Sequence, residues 1–137
     1  MTTINILSSD EKNMVVDISA ARESEVICNL MEDLGGANVQ IPLPNASSEV
    51  LAPIFEFCKY HADHPELDIT KYRGTTGFDK WDEFDRKFCC DRSIKENVNI
   101  VNMANYLDIK KLTRLMTIYF AKKIQGQDIE TIKQMFQ

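Results

Sequence analysis

The chain opens on two short β-branched runs, "INIL" and "NMVVDI", parted by the polar turn "SSDEK". That pattern predicts a β-hairpin. Two strands alone are not stable in water, so the rest of the chain must cover this ribbon, a demand that constrains the fold more than any other feature. The next segment answers it. Ser24 is placed to cap a helix in which Ile27, Leu30, Met31 and Leu34 recur at i, i+3, i+4 and i+7, with Gly35 just beyond. An amphipathic helix packed on the hairpin is expected.

"VQIPLPN" reads as a third short strand, confined by its prolines to a sheet edge or end. A second helix follows, with Val50, Leu51, Ile54, Phe55 and Cys58 as its apolar stripe; Pro53 should kink it or mark its true start. From Asp63 to Lys80 the periodicity fails, and "KYRGTTGFDK" reads as a mobile surface loop. Trp81, Phe84 and Phe88 then lie about one helical turn apart.

Ser93 and Glu96 have capping-box spacing. Behind them Ile94, Val98 and Val101 fall on one side of a helix and Ile100, Met103 and Leu107 on another, which predicts a central helix buried on two faces. Asp108 is placed to cap the next helix, whose stripe of Leu112, Leu115, Met116, Tyr119 and Phe120 runs to Ile124 before Gly126. Asp128 caps a last helix with Ile129, Ile132 and Phe136 on one side. The class is α/β in the α+β sense.

At 137 residues one domain is expected, large enough to bury a core without a metal or disulfide. A net charge of -5 argues against nucleic acid and anionic membranes, and Lys110, Lys111 and Arg114 form only a small basic patch. The N-terminus has neither the basic start nor the apolar core of a signal peptide, and no apolar run approaches the ~20 residues that span a bilayer. Cytoplasm or nucleus is the expected location, and Cys28, Cys58, Cys89 and Cys90 need not pair there. The "NAS" at 45–47 is an idle glycosylation word without secretion.

Catalysis finds no support: the sequence has no Gly-rich phosphate loop and no GxSxG, and neither histidine has a nucleophile nearby except Cys58. Cys58, His61 and His64 in "CKYHADH" spread around one helix with no fourth ligand, so a structural role is expected instead of a metal site. Cys89-Cys90 lacks the C-x-x-C geometry of redox pairs. No cofactor is expected.

The words "SSD", "MEDLGG", "IPLPN", "WDEF", "ANYLDIKKL" and "IQGQDIETIKQMF" together resemble the Skp family, adaptor subunits of cullin–RING ubiquitin ligases, from about Ile4 to Phe136. The resemblance implies a BTB/POZ-type fold, a small three-stranded sheet covered by helices, with extra C-terminal helices. Residues 1–107 would form the BTB/POZ-like domain, with its mobile loop at about 63–80. Residues 108–137 would be a helical extension for partner binding, packed on the same core.

The implied function is a non-catalytic adaptor that joins an F-box protein to a cullin N-terminal domain. Asn105, Tyr106 and Pro44 would face the cullin. Leu112, Leu115, Met116, Phe120, Ile124, Ile132 and Phe136 would face the F-box, with Met116 and Phe120 on the stripe's outer edge. By spacing alone, Asn105 and Tyr106 merely complete a helix C-terminus and the stripe is core.

Three features depart from the family pattern. Thr113 stands where a second leucine is usual, and the acidic insertions are replaced by "GGANVQ" and "KYRGTTG". The family's further clasping helix does not follow "MF" here. An uncovered apolar face would then promote self-association or dependence on a partner. The alternative is thus a Skp-like structural subunit that forms a homodimer or joins another assembly.

Overall fold

A computed structural model describes residues 3–35, 40–74 and 77–136. Val39 of the expected third strand and 75–76 of the expected loop lie outside the described residues. The expected α+β arrangement is present: a three-stranded sheet of order β2-β1-β3, covered by helices. β1 (Thr3–Leu7) pairs antiparallel with β2 (Asn13–Asp17), setting Ile4 against Val16 and Ile6 against Met14. β3 (Gln40–Pro42) joins β1 in parallel at the sheet edge, with Ile41 beside Ile6. Alternation along β1 buries Ile4 and Ile6 and leaves Thr3 and Asn5 exposed, the period-two pattern of a one-sided sheet.

The element that packs on the hairpin is not the one expected. A single turn, α1 (Ile18–Ala21), capped by Asp17 through the Ser19 N–H at 3.0 Å, buries Ala20 and Ala21 against the sheet and α3 (Ser48–Asp63). The expected helix exists as α2 (Glu25–Asp33), capped by Ser24, but it lies against β3. Pro53 sits inside α3, in its second turn, and does not start the helix; its missing N–H leaves the Glu49 carbonyl without that partner.

The segment at 63–80 is corrected most. Residues Ile69–Gly74 form a 3-10 helix whose Ile69 and Tyr72, one three-residue turn apart, are both buried. Tyr72 stacks on buried Trp81 with ring centroids 4.7 Å apart. Its hydroxyl donates to Asp85 Oδ2 at 2.7 Å, while His61 Nε2 lies 2.6 Å from Asp85 Oδ1. Burial first, and the Asp85 carboxylate second, push the Tyr72 phenol above its ordinary range. This triad ties α3, the 3-10 helix and α4 (Glu83–Cys90) together inside the molecule.

The capping box of Ser93 and Glu96 opens α5 (Ile94–Tyr106) as expected. Only one side is fully buried, however: Asn97, Ile100 and Ala104 face inward, Ile94, Val98, Val101 and Met103 are half-buried with Val101 and Met103 packed against the core, and Asn99, Asn102 and Asn105 are exposed. α6 (Lys110–Ile124) and α7 (Ile129–Met135) complete the fold. Leu112, Leu115, Met116, Ile118 and Tyr119 of α6 join the same hydrophobic core as the sheet residues.

Four carboxylates at element ends, Asp10, Asp17, Asp68 and Asp128, are held below their ordinary value of 3.8 by hydroxyl and backbone N–H donors. A depressed folded-state pKa contributes stability that is present above the unfolded value and lost as pH falls through the folded one. Thermal melts followed by circular dichroism should therefore show this contribution intact from neutrality to about pH 4 and declining at lower pH. A melting temperature unchanged down to about pH 2 would contradict it.

Candidate functional site

The turn between α5 and α6 is built by backbone bonds. Ile109 N–H donates to the Ala104 carbonyl at 3.0 Å and Asp108 N–H to the Asn105 carbonyl at 3.2 Å, the paired bonds that close a helix in a Schellman motif. Between them Asp108 adopts φ +53°, a left-handed position that Asp tolerates better than most side chains. Asp108 therefore ends α5 and does not cap α6, whose N-cap is Ile109 with no side-chain bond. The expected capping role of Asp108 is corrected.

The N-terminus of α2 locks this turn from outside. Ser24 Oγ donates to the Leu107 carbonyl at 2.5 Å while accepting from Ile27 N–H, and the N–H groups of Glu25 and Val26 point to the carbonyls of Asp108 and Leu107. Orphan donors of one helix thus meet the carbonyl end of another. Leu107 and Ile109 are buried, whereas Tyr106, one residue upstream, keeps 41% of its surface exposed.

Tyr106 borders a cleft of about 370 Å³. Ser9 comes from the hairpin turn, Asn45 and Ser47 from the loop before α3, and Asn99 and Asn102 from α5; Val50 and Met103 form the apolar wall. The loop bearing Pro44 is pinned on both sides. Leu43 N–H donates to the Leu7 carbonyl and Ser9 N–H to the Ala46 carbonyl, each at 2.8 Å. Asp10 accepts from Ser48 N–H at 3.0 Å and from its hydroxyl at 2.6 Å, standing in for the missing side-chain cap of Ser47 at the start of α3. The Ser48 hydroxyl is the largest cause holding the Asp10 carboxyl well below the usual range.

Pro44 is exposed between buried Leu43 and Ala46, next to Asn45 on the rim of the Tyr106 cleft. Asn105 is also exposed, but it opens onto a neighbouring cleft with Asp108, Lys110 and Arg114. Asn99 and Asn102 were not singled out from the sequence, although their three-residue spacing up to Asn105 is a readable polar stripe. Amides, hydroxyls and one phenol suit hydrogen bonding and aromatic packing. Among the described residues no group of three or more His, Cys, Asp or Glu is placed to hold a metal.

The second expected surface is narrower than its residues implied. Leu112, Leu115 and Met116 are fully buried, and Met116 Sδ lies 3.9 Å from Cys89 Sγ. The expectation that Met116 sits on an outer edge is corrected, because α6 spends that stripe on its own core against α5 and α3. Phe120, Ile124 and Ile132 are half-buried. Phe136 is 44% exposed with its ring 5.7 Å from that of Phe120, and Ile129 is 70% exposed. No residue of α7 is buried. The outward apolar face therefore belongs to Phe120, Ile124, Ile132 and Phe136, with Ile129 added.

Residues 2–63 match the family described as "Skp1 family, tetramerisation domain". Over 143 residues, 99% of this chain and 85% of the relative, the sequence is 38% identical to "Suppressor of kinetochore protein 1" of Schizosaccharomyces pombe. It is 35% identical to "E3 ubiquitin ligase complex SCF subunit sconC" of Arthroderma otae, with 97% of this chain and 81% of that one covered. It is 32% identical to "SCF ubiquitin ligase complex protein SKP1b" of Dictyostelium discoideum, with 99% and 83% covered.

Proposed function

The chain belongs to the Skp1 family, and from that membership we propose that it is a non-catalytic adaptor bridging an F-box substrate receptor to a cullin scaffold in an SCF ubiquitin ligase. Similarity to SCF subunits along nearly the whole chain supports this role. The observation that carries it is the placement of a half-exposed Tyr106 beside the Pro44 loop, on a turn held rigidly by α2. A large aromatic with a polar tip, fixed in advance, is a strong contact residue because little entropy is lost on binding.

In this reading residues 1–107 carry the scaffold side through Pro44, Asn105 and Tyr106. Residues 108–137 carry the receptor side through Phe120, Ile124, Ile132 and Phe136. Four free thiols support a reducing location, the cytoplasm and nucleus.

Exposed Phe136 and Ile129 favour one further reading, a homodimer through the α7 face. A two-bait capture with a cullin N-terminal domain and an F-box receptor separates the two. The adaptor binds both at once, and Phe136→Asp weakens receptor capture about tenfold while leaving scaffold capture intact. Capture of neither bait, together with a mass that rises with concentration in light scattering, would favour the dimer. Met116→Asp, by contrast, buries an unpaired carboxylate and should lose the fold, so it reports nothing selective about receptor binding.

A further inference from the structure

Helix α6 bears Lys110, Lys111, Arg114, Lys122 and Lys123 and no carboxylate, in a chain whose net charge is -5. Two of the lysines occupy its first turn, against the helix dipole, so the helix carries them at some cost to itself. Arg114 and Lys110 converge with Arg73 of the 3-10 helix on a cleft of about 290 Å³ that Thr113 and Thr117 also line. Among the described residues none of these three cations has a carboxylate within ion-pair distance, whereas Lys111 reaches Glu23 at 3.8 Å. Asn105 and Asp108 close the cleft at its α5 end, and Asp108 is the acid within it. Asp68 lies near enough to feel Arg114, but its Oδ1 is held by the Thr70 N–H at 3.0 Å.

A second hollow of about 410 Å³ shares Arg73 and Thr117 with the cleft and runs along α6 past Ile118 and Ala121 to Lys122 and Gln125. Both lie on the receptor side. At about 100° per residue, Thr113, Thr117, Phe120 and Ile124 share one face of α6, and Arg114 and Ala121 flank it. The half-buried Phe120 and Ile124 and the cationic cleft therefore form one continuous surface, positive toward the start of α6 and apolar toward its end, with Lys122 on the far rim. We propose that the receptor segment docked on α6 is acidic opposite Arg73, Lys110 and Arg114, so that these cations select among F-box receptors by charge. The inference rests on the receptor reading above and adds a charge and a register to it. From Lys110 to Phe120 is about 15 Å of helix, which sets the distance between the carboxylates of the segment and its apolar anchor. Charge complementarity and continuity with the Phe120 face select this occupant; a nucleic acid would gain nothing from the apolar end and would meet a chain of net negative charge.

The probe is one F-box receptor domain in two forms, carrying two glutamates or two glutamines on its docking helix about 15 Å from the apolar anchor. Binding of each form to the full chain is followed from about 0.01 to 0.15 M ionic strength. Expected is an approximately tenfold preference of the parent for the glutamate form at low salt, chiefly in association rate, shrinking as salt rises. Arg73→Glu/Arg114→Glu should reverse the preference and Arg73→Gln/Arg114→Gln should abolish it, with scaffold capture unchanged. Both variants should melt like the parent because these side chains are exposed. Equal affinity of the parent for the two forms overturns the inference while leaving the receptor reading standing. So does a preference that survives the charge reversal, a loss confined to the scaffold, or capture of a DNA duplex that the reversal abolishes while receptor binding is untouched. A parent chain that captures neither form removes the reading and this inference together.

Discussion

Tyr106→Lys is expected to weaken capture by the cullin N-terminal domain by roughly 30-fold or more, the ~2 kcal/mol of an interface hot spot, while F-box receptor binding is unchanged. The fold has little to lose at this position. Tyr106 is 41% exposed, and its neighbours Leu107 and Ile109, not Tyr106 itself, fill the core. It is also the last residue of α5, where a lysine interacts favourably with the helix dipole. The melt should therefore stay within about 0.5 kcal/mol of the parent. What is lost is the phenol's contact area, replaced by a charge that the covered cleft cannot hydrate. Retained scaffold binding would remove Tyr106 from the interface; a collapsed melt would mean that the tyrosine supports the core.

Asp85→Ala is expected to cost about 3 to 5 kcal/mol, a large part of the ~5 to 15 kcal/mol that holds a domain of this size. Both carboxylate oxygens are in use, Oδ1 with His61 Nε2 at 2.6 Å and Oδ2 with the Tyr72 hydroxyl at 2.7 Å, and all three residues are buried. Truncation removes the carboxylate that His61 Nε2 and the Tyr72 hydroxyl share, although that hydroxyl still accepts from the Asp82 N–H at 3.2 Å, and His61 Nδ1 already lacks a partner. Asp85→Asn should be milder. Its amide oxygen can take the Tyr72 hydroxyl and its amino group can donate to the alternative tautomer of His61. Urea titrations of the parent and the two variants check this; equal losses for Ala and Asn would mean that shape, not hydrogen bonding, holds the three elements together.

The triad was hidden in the sequence for a physical reason. "CKYHADH" displays His61 and His64 on one helix, but the partners of His61 stand 24 residues away at Asp85 and, through it, at Tyr72. Spacing along a helix says nothing about such pairs. The same holds for Asp10, whose bond to Ser48 spans 38 residues and replaces a local cap, and for Ser24, which reaches Leu107 across 83. The 3-10 helix was missed because its two buried residues repeat every three positions among charged ones, a pattern the 3.6-residue stripe does not register.

By itself the sequence determined the elements whose signals are near-neighbour interactions. These are the hairpin, the capping box at Ser93 and Glu96, the caps at Ser24 and Asp128, and the apolar stripe of α6. Each depends on residues within about one helical turn or one strand pair, so their order along the chain suffices. Only tertiary structure decided which side of the α6 stripe was consumed by the core, burying Leu112, Leu115 and Met116 and leaving Phe120 and Phe136 toward solvent. A periodic stripe fixes a face but not its occupant, because burial is set by what other elements bring to that face, and hydrophobic attraction has no direction of its own.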